Sequence, residues 1–484
     1  MNVLRLSGDP LPRIHPSLPP ILAGLLATVA CSPSPSSGGG SPDGAVAEPA
    51  PDVVRRDRPE WHVQTLQAGG YGLRVDLERG PGGGLAAAWF ASNPEIGGAC
   101  EELKADSPPD ERRWPLRFAR STDGVRADAA VEWTVETAMK PRYVGTPPGL
   151  DLEPSPSGSW SLAGMTGEPV AKYGFCGVND VALYTRRSAG KWSAETAVEE
   201  SDEAETGHAG SDAGTVVGYW PALAYGPEDE PAIAYKDVHT GSAQSDDFRR
   251  SDLEWTHRSG GSWRAVPVDP GRGGGHQNAM VFDSEGRALI AYRVPVQSEV
   301  ESRVGVWVAR SGGGGDGWSR VHLFPSKSPT RPAITVDARG RVHVLFYNAE
   351  RGFPQLATLV APSAFESTSE GWRLDRIETD GRDEGYDPTL AVSPSGRLWA
   401  AYYRCGRASG GLGNCRAEED GLVAARRTRA GWTREVVDAG GDDGFCGRVP
   451  SLAFDANGRP SIAYRCESRA DGELSAAVRF ARRR

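Results

Sequence analysis

Several kinds of site are missing from this 484-residue chain. Its seven cysteines include no Cys-x-x-Cys pair, so a zinc ribbon or knuckle is excluded. No two of its eight histidines stand at metal-binding spacing, and no EF-hand loop, Ser-His-Asp set or phosphate-cradling glycine loop is recognisable. Beyond the N-terminal region no apolar run could span a membrane. Basic residues are not in excess: the net charge of −10 argues against a nucleic-acid surface, which wants a basic face. What is present is turn chemistry. There are 61 glycines and 37 prolines, and the 38% hydrophobic content suffices for a core of short strands.

Seven of the 14 tryptophans set the frame. Trp133, Trp192, Trp263, Trp318, Trp372 and Trp432 each open a strand-like run after a polar or Gly-rich turn, at spacings of 59, 71, 55, 54 and 60 residues. The seventh, Trp61, begins a segment that echoes the one after Trp432. Between the tryptophans, residues 221–235, 278–292, 332–346, 388–402 and 450–464 align without gaps. Each reads as an apolar strand, a tight turn and a second apolar strand ending in an aromatic. Gly286, Gly340, Gly396 and Gly458 supply the positive φ such turns need. Weaker copies lie at 150–165 and 73–90. A paired hairpin, a third strand and the Trp strand make four strands per repeat, and repeats of that size indicate a propeller. The 424 residues after position 60 divide into seven units of about 60. The expected fold is therefore all-β: a seven-bladed β-propeller of four-stranded blades over residues 61–484. The chain ends where the next Trp strand would begin, so the strand at Trp61 is expected to pair with residues 476–481 and close the ring.

The first 31 residues read as an export signal. Arg5 and Arg13 precede the apolar run 21–30, which leads into Thr28-Val29-Ala30-Cys31. The segment resembles a bacterial lipoprotein signal, with Thr28 and Val29 departing from the usual residues. That resemblance implies lipidation of Cys31 and a place in the cell envelope, at the outer membrane or cell surface. An ordinary secretory signal with an incidental cysteine is the alternative. Residues 32–60 are rich in Ser, Gly, Pro and Ala and form an expected flexible tether.

Six cysteines remain, an even number suited to three disulfides in an oxidising compartment. On the blade map all six fall on one face, the face that carries the connections between second and third strands and between blades. Cys446 and Cys466 flank one hairpin in near-mirror positions and should face each other. Cys405 and Cys415 bracket a single loop. Cys100 and Cys176 then pair by elimination. The same face carries the long loops 93–114, 166–179, 236–253, 404–421 and 466–473, where a binding site is expected.

The turn before Trp133 brings a family into view. Arg120-Ser121-Thr122-Asp123-Gly124 resembles the Asp-box (BNR repeat) of sialidase-type propellers, stretched by an insertion. Decayed copies precede Trp192 and Trp263. In that family the box is structural. The resemblance further implies an arginine clamp for a carboxylate, a Tyr–Glu nucleophile and an Asp acid/base. Arg448-Val449-Pro450 is similar to the family's Arg-Ile-Pro motif, and Arg331-Pro332 less so, but the motif belongs to the first blade whereas Arg448 opens the last. The Tyr–Glu pair and the Asp loop are not identifiable, so no catalytic residue is assigned.

The entrances to the inner strands supply ligand-binding candidates: Tyr219, Trp220, His276, Arg331, Tyr386, Asp387 and Arg448. Tyr, Trp and Arg at a concave centre dominate binding hot spots. Acidic loops offer oxygen ligands of the kind Ca²⁺ takes, at 199–212, at Asp380, Asp383, Glu384 and Asp387, and at Asp438, Asp442 and Asp443. Solvated loop charge is the other reading of these. No other cofactor is expected. The function expected is that of a monomeric, membrane-tethered binding or scaffold module for a protein or carbohydrate ligand. The alternative is a glycan-active enzyme, a sialidase-like glycoside hydrolase or polysaccharide lyase. Fold alone does not decide between them.

Overall fold

The structure, a computed structural model, describes residues 60–484 apart from 69–72, 92–114, 122–129, 142–148, 169–177, 188–189, 200–215, 239–250, 271–272, 296–300, 314–316, 328–329, 361–364, 366–370, 407–414, 416–418, 441–443 and 471–472. These residues belong to one compact unit, Arg58–Arg484. Cys31 and the tether lie outside the described residues.

The fold is a seven-bladed β-propeller of four-stranded antiparallel blades. Blades 1 to 6 cover residues 73–139, 151–198, 216–269, 276–324, 333–376 and 384–439. Blade 7 takes its three inner strands from 444–483 and its outer strand from Trp61–Ala68. Closure is as expected: Trp61 lies opposite Arg483, Val63 opposite Ala481 and Ala68 opposite Ala477. Of the expected loop 466–473, residues 466–470 and Glu473 belong to strands. These are Pro460–Ala470 and Glu473–Arg483, 11 residues each and paired antiparallel.

One turn recurs in every blade, between the inner and second strands. The amide of its first residue donates to the carbonyl four residues on, and the amide of its fourth residue donates back to the first, at 2.7–3.1 Å. The fourth residue has φ between 61° and 95°. Gly83, Gly158, Gly286, Gly340, Gly396 and Gly458 hold it in six blades, and Asp229 in blade 3. First-position side chains tighten the turn. The carboxylates of Asp283, Asp337 and Asp455 each accept two amides at 2.9–3.0 Å.

The second strands, such as Ala288–Val294 and Val342–Asn348, are buried throughout because they are enclosed on both sides by neighbouring blades. Outer strands, such as Trp133–Met139, are mostly half-buried or exposed. The core lies in the layers between blades. Phe90 and Phe118 of blade 1 pack on Leu162, Met165 and Tyr184 of blade 2. Trp89 packs on Val478 and Phe480 of blade 7, closing the circle.

Two of the repeated tryptophans latch one blade to the next. Trp192 Nε1 donates to Glu136 at 2.8 Å, and Trp263 Nε1 to Glu195 at 2.8 Å. Each acceptor stands three residues after the tryptophan of the preceding blade. Arg186 joins the first acid at 2.7 Å and Arg258 the second at 3.5 Å. Where that position carries Val266 or Val321 instead, Trp318 and Trp372 have no hydrogen-bond partner on Nε1 among the described residues.

Disulfides join Cys405 to Cys415 and Cys446 to Cys466, as expected; the latter two sit opposite each other in register. Cys100 and Cys176 lie outside the described residues. So does 122–129, which holds most of the stretched Asp-box.

Candidate ligand-binding channel

The inner strands converge on a central cavity of about 640 Å³. Five of them carry an irregularity at the same place, where pairing with the second strand skips. The residue within it has left-handed backbone: Arg74 (φ 56°), Trp220 (48°), Gln277 (54°), Asp387 (47°) and Val449 (42°). A bulge re-aims its side chain, and here all five residues line the cavity. Arg331 holds this place in blade 5 and also lines the cavity. Blade 2 has Gly149, where an added Cβ would lie 2.9 Å from Pro221 Cδ and 3.1 Å from Trp220 Cα.

The bulge separates the sequence-predicted candidates into two groups. Trp220, Arg331 and Asp387 reach the channel. The residues one position earlier turn into the seams between blades. Tyr219 packs half-buried against the core shared by blades 1 and 2, with its ring 5.5 Å from that of Trp220. The Nδ1 of His276 lies 2.8 Å from Nζ of Lys236, a wholly buried residue of blade 3. Burial first, then the Lys236 and Arg293 charges, push the imidazole well below its usual value. Tyr386 departs most from expectation. It is wholly buried, donating to Asp383 at 2.8 Å with the Tyr347 hydroxyl 2.9 Å away, so it is core and not a ligand contact. Arg448 lies over the Tyr403 ring at 5.6 Å and pairs with Glu467 at 3.5 Å. It is not part of the cavity wall, although its charge acts on Asp387.

The mouth is rich in guanidinium. Burial holds the Asp387 carboxyl above its usual range, against the pull of Arg74, Arg448, the Val449 amide and Arg293. Burial lowers Arg293 to about 10, opposed by Asp387. Arg293 Nη1 donates to Gln277 Oε1 at 2.7 Å.

Deeper in, blades 1 and 2 contribute Asp76, Glu78, Asp151 and Glu153 to the wall. The two aspartates tie blades together. Asp76 accepts the Leu152 amide of blade 2 and the Ser451 hydroxyl of blade 7, both at 2.7 Å. Asp151 accepts the Leu223 amide of blade 3 at 2.7 Å. Arg331 crosses from blade 5 to meet Asp151 at 3.2 Å. Burial raises the Asp151 carboxyl to about 7, with Arg331 opposing and Asp76 adding. Glu78 and Glu153 are held well above the usual range, chiefly by burial and then by neighbouring carboxylates.

Sequence reasoning missed Arg74, Gln277 and all four acids. A signal was present: Gln277 directly precedes a gap-free copy, as Trp220 does, and Arg74 and the acids fall in the weaker copies 73–90 and 150–165, where the shared turn aligns Arg74 with Trp220 and sets the acids at positions that are small or apolar elsewhere.

Several of the acidic residues considered for Ca²⁺ have protein partners. Asp383 accepts from Tyr347 and Tyr386, Glu384 pairs with Arg434 at 2.9 Å, and Asp438 accepts from Tyr464 and Arg479 at 2.6 and 2.9 Å. Residues 200–212 and Asp442 and Asp443 lie outside the described residues.

No known protein-family profile matches the sequence, and no curated protein is similar to it. Among solved structures, the chain is similar to a Dyadobacter fermentans protein of unknown function (12% identity, TM-score 0.44, covering 87% of this chain and 99% of that one). It is also similar to the intramolecular trans-sialidase of Ruminococcus gnavus (12%, 0.43, 85% and 94%). A third is an α-L-arabinanase of Penicillium chrysogenum (14%, 0.40, 86% and 98%).

Proposed function

We propose that this chain is an exported, membrane-tethered binding protein whose central channel takes a small saccharide from the loop-rich face. The observation that carries this reading is the bulge ring. Five blades keep one strained backbone device, yet the side chains it presents are chemically unlike: Arg74, Trp220, Gln277, Asp387 and Val449. Left-handed backbone costs a non-glycine residue roughly 1–2 kcal/mol. A repeated device with diversified side chains suits recognition of one asymmetric ligand. Guanidinium, amide and carboxylate groups match sugar hydroxyls, and Trp220 offers a ring face. The cavity lies within the usual range for small-ligand sites, about 300–1,000 Å³. Export and anchoring through Cys31 rest on the signal segment, and the two disulfides accord with an oxidising compartment.

Titration against a glycan panel, followed by tryptophan fluorescence and calorimetry, tests the reading. A saccharide should bind with a fluorescence change, and Trp220→Ala should weaken it at least about tenfold, the effect expected for a buried aromatic contact. Absence of any glycan ligand, or affinity unchanged in Trp220→Ala, overturns it.

A second reading, a glycan-active enzyme, is favoured by one observation: four carboxyls in the channel, Glu78, Asp151, Glu153 and Asp387, are held above their usual range, as general acids are. Release of reducing ends or unsaturated product from a glycan, lost in Glu153→Gln, would establish it in place of the first.

A further inference from the structure

We propose that the deep half of the channel is an amine subsite, in which Glu78 and Glu153 receive the ammonium group of a saccharide carrying an unacetylated hexosamine. This rests on the saccharide reading above and names the ligand class.

The molecule supplies its own control. Glu78 and Glu153 occupy the same position of the inner strand in blades 1 and 2. The other five blades have Ala224, Val281, Thr335, Ala391 and Ala453 there. The fold therefore accepts small or apolar residues at this place. Two positions earlier, Asp76 and Asp151 have structural work, since their oxygens accept amides of the next blade. The glutamates point to no such tie. They stand on the channel wall, half-buried, and other carboxylates make each costlier to ionise: Glu78 acts on Glu153, and Asp76 and Asp151 act on both. A repeat that uses alanine elsewhere keeps two repelling acids here for something that enters the channel.

The geometry selects the visitor. No three carboxylates among the described residues come close enough to share one metal ion. An ammonium needs only two or three acceptors and accepts looser placement. Across the ring from the glutamates the wall carries Val281, Thr335 and Ala391, whose methyl groups suit the C–H face of a pyranose ring. Neutral hydroxyls would not repay ionisation of the glutamates; a cation does, through charge-assisted hydrogen bonds.

The inference has a proton signature. The charged groups that act on the pair are Asp76, Asp151 and Arg331, with the Tyr225 hydroxyl beside Glu153. Because burial holds both glutamates above their usual range, binding a cation must expel protons from them. Affinity for the amine therefore rises as pH climbs above the ordinary glutamate value of about 4.3 toward neutrality, while affinity for an uncharged sugar does not.

The experiment uses the full chain with two probes, the disaccharide of β-1,4-linked glucosamine and its N,N′-diacetyl form, by calorimetry across that range. The free amine should bind at least about tenfold tighter near neutrality, the worth of one charge-assisted contact. It should also release protons. Glu78→Gln with Glu153→Gln should abolish the preference and keep binding of the acetylated sugar. Glu78→Ala with Glu153→Ala, which copies the other blades, should do the same. Equal or tighter binding of the acetylated sugar, or a preference that survives both double variants, overturns the subsite while the saccharide reading stands. If neither sugar binds but a different glycan does, and without proton release, the subsite is likewise overturned. If no glycan binds, both fall together.

Discussion

The fourth residue of each inner hairpin turn shows how one backbone angle constrains one side chain. Its φ is 72° at Gly340, and the flanking amides Asp337 N and Gly340 N close the turn at 3.0 and 2.8 Å. Gly340→Ala places a Cβ in left-handed backbone and should lower unfolding free energy by about 1 kcal/mol. Asp229 holds the same position in blade 3 at φ 61°. Asp229→Gly should therefore be neutral or slightly stabilising, because relief of strain offsets the added freedom of the unfolded chain. Denaturant unfolding of both variants checks the pair. Loss of stability in both would show that side-chain contacts, not the angle, govern the position. At Asp337 the carboxyl is lowered to about 2: burial pushes it up, but hydrogen bonds from Arg341, its amide, the Arg339 amide and His343 prevail. Its stabilisation is present above the unfolded value near 4 and is lost as pH falls toward about 2.

At the scale of the element, the outer strand carries both the most legible and the most useful signal. The tryptophan opening it is visible in sequence as a period, and the acid three residues on becomes meaningful only when the blades are set side by side. A double-mutant cycle of Trp192→Phe and Glu136→Ala should return a coupling of about 0.5–1.5 kcal/mol, the worth of one hydrogen bond. Trp318→Phe, where the facing residue is Val266, should show no coupling to Val266→Ala beyond packing. Equal coupling at both seams would deny the latch. The inner strand was legible in a different way. Its hairpin, turn and start were clear from the 15-residue repeat, but its channel-facing side chains were not. Strand alternation predicts that residues two apart share a face. The bulge breaks that rule by one residue, so Trp220 and Asp387 enter the channel while Tyr219 and Tyr386 turn into blade seams. Nothing in Tyr386-Asp387 itself announces which of the two is core. Likewise the glutamates of blades 1 and 2 lie in the copies whose repeat had drifted furthest, where alignment was weakest.

At the scale of the molecule, the ring concentrates charge where its blades meet, and stability should report it. Burial holds Asp151, Glu384 and Asp420 at about 7 each, against opposing cations or hydrogen bonds. For each, the folded state keeps a proton that the unfolded state releases near 4. Unfolding free energy should therefore decline as pH rises from about 4 to about 7. Asp420→Asn should flatten part of that decline, since its amide oxygen can still accept from Gly440 N. A decline unaltered in the variant would assign it to other groups.

The ring also depends on a strand borrowed from the far end of the chain. Trp61–Ala68 is the outer strand of blade 7, and its first residue is 5% exposed, packed with Trp399, Phe454 and Ala481. Gln64 reaches onward to blade 1, exchanging hydrogen bonds of 2.8 and 2.9 Å with the backbone of Val131. The strand thus completes blade 7 and ties it to blade 1. Removal of residues 1–68 should cost at least the roughly 3–5 kcal/mol of deleting one buried tryptophan. It also bares the edge of Glu473–Arg483, an 11-residue strand with unpaired backbone groups and a template for association. The truncated chain should melt at lower temperature and aggregate, whereas removal of residues 1–59, which leaves Glu60 and Trp61 in place, should leave melting unchanged. Trp61→Ala in the full chain separates the two effects, because it removes the packed ring but keeps the edge paired: it should melt early without aggregating below its transition. If the 1–68 deletion melts like the full chain, blade 7 is stable with three strands and the ring needs no closing strand.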